Sequence, residues 1–77
     1  MDEQEAYENL ANAIILLAVQ DYKQALIHQR RHPESLSAKK EAERQERFFF
    51  SEWYETLTNL NGSYLTQRIK EEIENRY

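Results

Sequence analysis

Two places in this sequence clearly interrupt a helix through their chemistry: Pro33 and the Asn61-Gly62 pair. The chain has one proline and one glycine in all, too few for a fold built from turns and strands. Between the breaks Ala, Leu, Glu, Gln, Lys and Arg predominate, residues that lose little on entering a helix. The expected fold is all-α: a small three-helix, or four-helix, bundle with a long central N-terminal helix, residues 1–77 forming one domain. A domain of this size buries only about 60% of its unfolded surface, so a partner or a second copy would help it.

The first helix is predicted over residues 3–31. Asp2 is placed to cap it, with Glu5 closing a capping box. Asp2, Glu3, Glu5 and Glu8 complement the positive end of the helix dipole. Tyr7, Leu10, Ile14, Leu17, Ala18, Tyr22, Ala25 and Leu26 recur at helical spacing, and Ile15, Leu16 and Val19 widen the stripe to most of the circumference. A helix so widely apolar is expected to be enclosed by more than one neighbour. At about 1.5 Å per residue it would run roughly 40 Å, so its ends should protrude or be covered by a second copy. Pro33 stops it at His32.

The second helix is predicted from residue 36 to about residue 58. Leu36, Ala42, Phe49, Trp53, Leu57 and Leu60 form a thin seam, implying weak packing over residues 39–44 and firm packing from Phe49 onward. Ser51 either caps a new short helix or lies inside a continuing one, and a continuing or slightly kinked helix is the expectation. Asn61 should cap the last helix, residues 63–75, with Leu65, Ile69 and Ile73 on one face. Arg68 with Glu72, Lys70 with Glu74 and Glu72 with Arg76 fall at ion-pair spacing on the other.

Residues 48–54 hold five of the nine aromatics. On a continuous helix Phe49, Phe50 and Trp53 share a face, while Phe48 and Tyr54 lie to either side. Phe49, Trp53 and Leu57 are therefore expected in the core. Phe48 and Tyr54, with Phe50, are the candidates for contact with a partner, because apolar rings that a small domain cannot hide mark contact sites. Lys40, Arg44 and Arg47 extend that surface along the second helix.

The chain carries little that could do chemistry. A phosphate loop needs several glycines. His28 and His32 are four residues apart with Glu34 close by, short of the ligand set of a zinc site, and read as solvated residues at a helix end. Ser51 and Ser63 have no histidine near them in sequence. No catalytic residue, metal or cofactor is expected, and the reading is a protein that is not an enzyme. Cysteine is absent, which removes disulfides and thiolate ligands. The longest apolar run, residues 13–19, is far short of the roughly 20 residues that cross a bilayer, so a soluble cytoplasmic protein is expected.

Charge is unevenly placed. Residues 1–22 carry five acids and no base, residues 23–47 seven Lys/Arg against four acids, and residues 48–77 five acids against three bases. The net charge of -4 disfavours adhesion to nucleic acid. The basic middle, Lys39, Lys40, Arg44 and Arg47, keeps open a direct contact with phosphates, and the acidic flanks keep open imitation of a phosphate backbone.

Residues 49–58, followed by Asn61-Gly62-Ser63-Tyr64-Leu65, resemble a pattern in small accessory proteins of phages and integrated mobile elements of Gram-positive bacteria. The similarity extends to Ala13-Ile14-Ile15-Leu16 leading into Asp21-Tyr22, and Phe50 stands where the pattern has a basic residue. The resemblance implies a mobile-element accessory protein that works by binding another protein. Small acidic proteins in that setting often inhibit host defence nucleases, including CRISPR effectors, which makes a host nuclease the implied partner. The alternatives are a small regulator that binds DNA or RNA directly and a self-assembling structural protein.

Overall fold

The computed structural model describes residues 2–76. Among them lie four α-helices and no strand, so the fold is all-α: α1 (Glu3–Arg31), α2 (Leu36–Phe49), α3 (Glu52–Leu57) and α4 (Gly62–Arg76). Each helix start has a local cause. Asp2 accepts from the Glu5 amide at 2.8 Å, Ser35 from Ala38 at 3.3 Å, Ser51 from Tyr54 at 3.2 Å and Asn61 from Tyr64 at 2.9 Å. These oxygens satisfy first-turn N–H groups that no helical carbonyl reaches.

α2 folds back along α1 after the turn at Pro33, and α3 carries the chain on toward the start of α1, where Tyr7 Oη donates to the Thr56 carbonyl at 3.4 Å. α4 returns in the direction of α1. Val19 and Lys23 share a groove with Leu65, Ile69 and Glu72, and Leu26 one with Ile73. The arrangement is an up-down-up bundle whose middle arm is broken in two.

The core seam of α1 differs from the one that residue size suggests. Ala11, Ile15, Ala18, Tyr22 and Ala25 are buried, while Tyr7, Leu10, Leu16 and Leu17 are each more than half exposed. On α2, Ala38 and Ala42 are enclosed, Leu36, expected in the seam, is exposed, and of residues 39–44 only Ala42 is buried. Alanines on both helices allow close approach, and close packing of backbone and methyl groups replaces the burial of long side chains. Larger residues fill the space farther down the seam: Tyr22 and Phe49 meet with ring centroids 5.7 Å apart. Each buried ring of this kind contributes roughly 2–3 kcal/mol.

Full enclosure of α1 is likewise corrected. Its second half is flanked by α2 and α4, whereas residues 2–10 are exposed throughout. The radius of gyration is 13.8 Å, against about 11.5 Å for a compact chain of this length. The longest dimension, 47 Å, reflects the length of α1.

Two expected ion pairs on α4 are also replaced. Arg76 does meet Glu72, at 3.8 Å, but Arg68 takes Glu71 at 3.9 Å and Lys70 crosses to Glu46 of α2 at 3.5 Å. Lys23 ties α1 to the other side of Glu72 at 3.1 Å. The cross-helix pairs hold partly shielded groups and help fix α4 against its neighbours.

Candidate partner-binding surface

The candidate surface is set by a break that the sequence reading did not favour. The second arm does not continue through Ser51. Phe50 leaves the helix with φ -100° and ψ 5°, and Ser51 is extended at φ -85° and ψ 160°. One hydroxyl holds both sides of the joint: Ser51 Oγ donates to the Phe48 carbonyl at 2.6 Å and accepts from the Tyr54 amide. Glu52 and Glu55 then sit in the first turn of α3, where negative charge is favoured.

The break resets the phase of every residue after it. On a continuous helix Trp53, four residues beyond Phe49, would point inward. The extended residue at the joint brings Tyr54 to the core instead, 1% exposed, and turns Trp53 outward, 57% exposed. Two expectations are corrected here: Tyr54 is a core residue and not a contact residue, and Trp53 lies at the surface and not in the core. Phe49 is buried as expected, and Leu57 is partly buried against the core.

Phe48 links the two sets of rings. It packs edge-on against Phe49 at 5.3 Å, Tyr54 at 5.7 Å and Trp53 at 5.5 Å. It is half-buried and supports Trp53 from beneath rather than presenting a full face. Phe50, at 59% exposed, is the second accessible ring of the cluster. Beside it, Phe50, Leu60 and the turn of residues 58–61 line a recess of about 450 Å³. Trp53 and Phe50 thus flank the joint, one backed by Phe48 and the other bordering the recess.

Lys40, Arg44 and Arg47 are all exposed and recur at i, i+4 and i+7 on the side of α2 away from Ala38, Ala42 and Phe49. Arg44 is held by Glu41 at 2.9 Å. The arrangement gives the rings a charged margin. His28 and His32 meet edge-on at 5.2 Å, and among the described residues no group of three metal-ligating side chains comes together. Among these residues, too, no helix is long and apolar enough to cross a membrane.

Inside the surface lies an unmatched group. The Tyr54 hydroxyl is buried without a hydrogen-bond partner, and burial raises its pKa. A buried hydroxyl that bonds nothing costs about 1–3 kcal/mol in lost hydration. Tyr54→Phe is therefore expected to leave stability unchanged or raise it by about 1 kcal/mol, measured by chemical denaturation. A loss of similar size would mean that the hydroxyl is bonded after all.

Sequence reasoning missed Trp53, Leu60 and the three leucines of α1 as surface residues. For Trp53 a signal was present: Ser51 followed by Glu52 and Glu55 is a helix start. No protein-family model, curated protein or solved structure matches the chain.

Proposed function

We propose that the chain is a non-catalytic binding protein whose partner is another protein, docked on the rings at the joint between α2 and α3. The observation that supports this most directly is that Phe50 and Trp53 stay exposed while Phe49 and Tyr54 fill the interior. Aromatic anchors with a charged margin are the usual composition of a protein contact. Lys40, Arg44 and Arg47 give that margin a positive sign and suit an acidic rim on the partner. The resemblance to accessory proteins of phages and mobile elements supports a role inside a bacterial cell. In that setting the partner is a host enzyme directed at nucleic acid, such as a CRISPR effector, and binding holds it inactive.

Co-expression with a CRISPR effector that targets a resident plasmid tests this reading. The wild-type chain is expected to rescue the plasmid. The double change Phe50→Ala with Trp53→Ala should lower rescue about tenfold or more, because anchor rings carry most of a contact's energy. Its melting temperature should barely move, since substitutions at exposed positions stay within about 0.5 kcal/mol. Rescue that survives the double change would remove the ring surface from the contact.

A second reading rests on the exposure of Lys39, Lys40, Arg44 and Arg47 along one side of α2. It makes the chain a DNA- or RNA-binding regulator. Charge reversal at these four residues would abolish such binding, which would also weaken steeply with added salt.

A further inference from the structure

The joint between α2 and α3 differs from a continuous helix chiefly at one backbone angle. Phe50 departs modestly from helical values, whereas Ser51 has ψ 160° against about -42° in an α-helix. The Tyr54 amide, which a continuous helix would bond to the Phe50 carbonyl, goes to Ser51 Oγ instead. The same hydroxyl donates to the Phe48 carbonyl. One side chain thus keeps the arm bent. The bend has a cost, since it encloses the Tyr54 hydroxyl without a partner and leaves Trp53 in water.

A straight arm relieves both. Continued at about 100° per residue, it places Trp53 about 40° and Leu57 about 80° from Phe49 around the helix. Ala38 and Ala42, both buried, lie within about 20° of the same line, so Trp53 joins the side that α2 already turns to the core. Tyr54 falls about 140° away, where its hydroxyl meets water. α1 is long enough to receive the extension: Phe49 packs beside Tyr22, and residues 3–21 of α1 lie ahead of it. α4 can keep its place. About 12 Å of helix would separate Leu57 from Phe49, and the chain from Leu57 to Gly62 can reach about 17 Å.

We infer that the joint is a two-position switch governed by Ser51: bent, it presents Trp53, and straight, it draws Trp53 inward and turns Tyr54 out. As a control on docking it rests on the function proposed above, whereas the switch itself needs no partner. A partner that takes Phe50 and Trp53 binds the bent arm, so its apparent affinity falls in proportion to the bent fraction, about tenfold when one molecule in ten is bent.

Fluorescence tests the switch directly, because Trp53 is the only tryptophan. The wild-type chain should emit as a solvent-exposed indole that acrylamide quenches readily. Ser51→Ala removes both hydroxyl bonds and favours a helix. Its emission should shift to shorter wavelength and lose most of the quenching, with the helical circular dichroism kept or increased. Ser51→Asp retains an acceptor for the Tyr54 amide and should emit like the wild type. A Ser51→Ala chain that keeps wild-type emission, or that loses its helical signal, would overturn the inference, as would a Ser51→Asp chain that shifts like Ser51→Ala. In the plasmid assay Ser51→Ala should lower rescue about tenfold. Shifted emission with rescue unchanged would sink the docking reading and leave the switch standing. Unshifted emission, with rescue lost in the Phe50 and Trp53 double variant, would do the reverse.

Discussion

Gly62→Ala should destabilise the protein by about 3 kcal/mol, lowering the melting temperature by about 12–24 °C. Helix propensity alone gives the opposite sign, because alanine is favoured over glycine within a helix by about 1 kcal/mol. The neighbours of Gly62 decide the outcome. A Cβ built at this position would run into the Phe49 carbonyl oxygen, lie 2.9 Å from the Phe49 carbonyl carbon and 3.3 Å from the Tyr54 ring. Two of these atoms are backbone at the end of α2, held where the Phe50 amide bonds Glu46, and they cannot swing aside. Relief requires α4 to move off α2 and takes with it the contacts of Phe49 and Tyr54. The glycine is needed for closeness and not for conformation, since no described residue has a positive φ. Thermal unfolding followed by circular dichroism measures the effect. A variant as stable as the wild type would mean that α4 begins farther from α2.

The same three elements show which parts of the fold can be read from sequence. Capping residues and breakers act locally, so the ends of α1 and the start of α4 follow from Asp2, Pro33 and Asn61 with little help from the rest of the chain. Ser51 is also local, but a mid-helix serine that points to solvent has the same sequence appearance as a cap. What separates the two cases is the Phe48 carbonyl and the space available for Tyr54, both products of tertiary structure. Misreading that single residue inverts Trp53 and Tyr54, and with them the composition of the candidate surface.

The seam of α1 was obscured for a different reason. Hydrophobic periodicity weights residues by size, which gives Leu10 and Leu17 precedence over Ala11 and Ala18. The closeness of α1 to α2 reverses that order, and closeness is a property of the pair. Neither helix alone reports it, although Ala38 and Ala42 at a spacing of four were visible in the sequence. Phe50 is exposed because it ends α2 at the joint, whereas on a continuing helix it would share the face of Phe49 and Trp53.

Alkaline pH should unfold this protein steeply, through phenol groups in its interior. Tyr22 Oη donates to Glu46 Oε2 at 2.7 Å, and Lys70 Nζ lies 3.5 Å from the same oxygen. Burial first, then the hydrogen bond to Glu46 and the charge of that carboxylate, hold the Tyr22 proton far above its ordinary range near 10. Burial raises Tyr54 as well. An unfolded chain releases both protons near pH 10, while the folded chain retains them. The resulting contribution to stability is complete below about pH 10 and is lost as the pH rises, at about 1.4 kcal/mol per pH unit for each phenol still protonated in the fold. A chain of this length has roughly 4–12 kcal/mol in total, so about two pH units remove a large share of it. Helix content should therefore collapse near pH 12, and part of the tyrosinate absorbance should appear only together with that collapse. Tyr22→Phe should flatten the alkaline slope, because the proton held by burial and Glu46 is gone. The same change should lower stability at neutral pH by about 1.5–3 kcal/mol, because Glu46 loses a charge-assisted partner. Were tyrosinate formation complete while the helices persist, Tyr22 would be ionising inside the fold, and its bond to Glu46 could not be holding the proton.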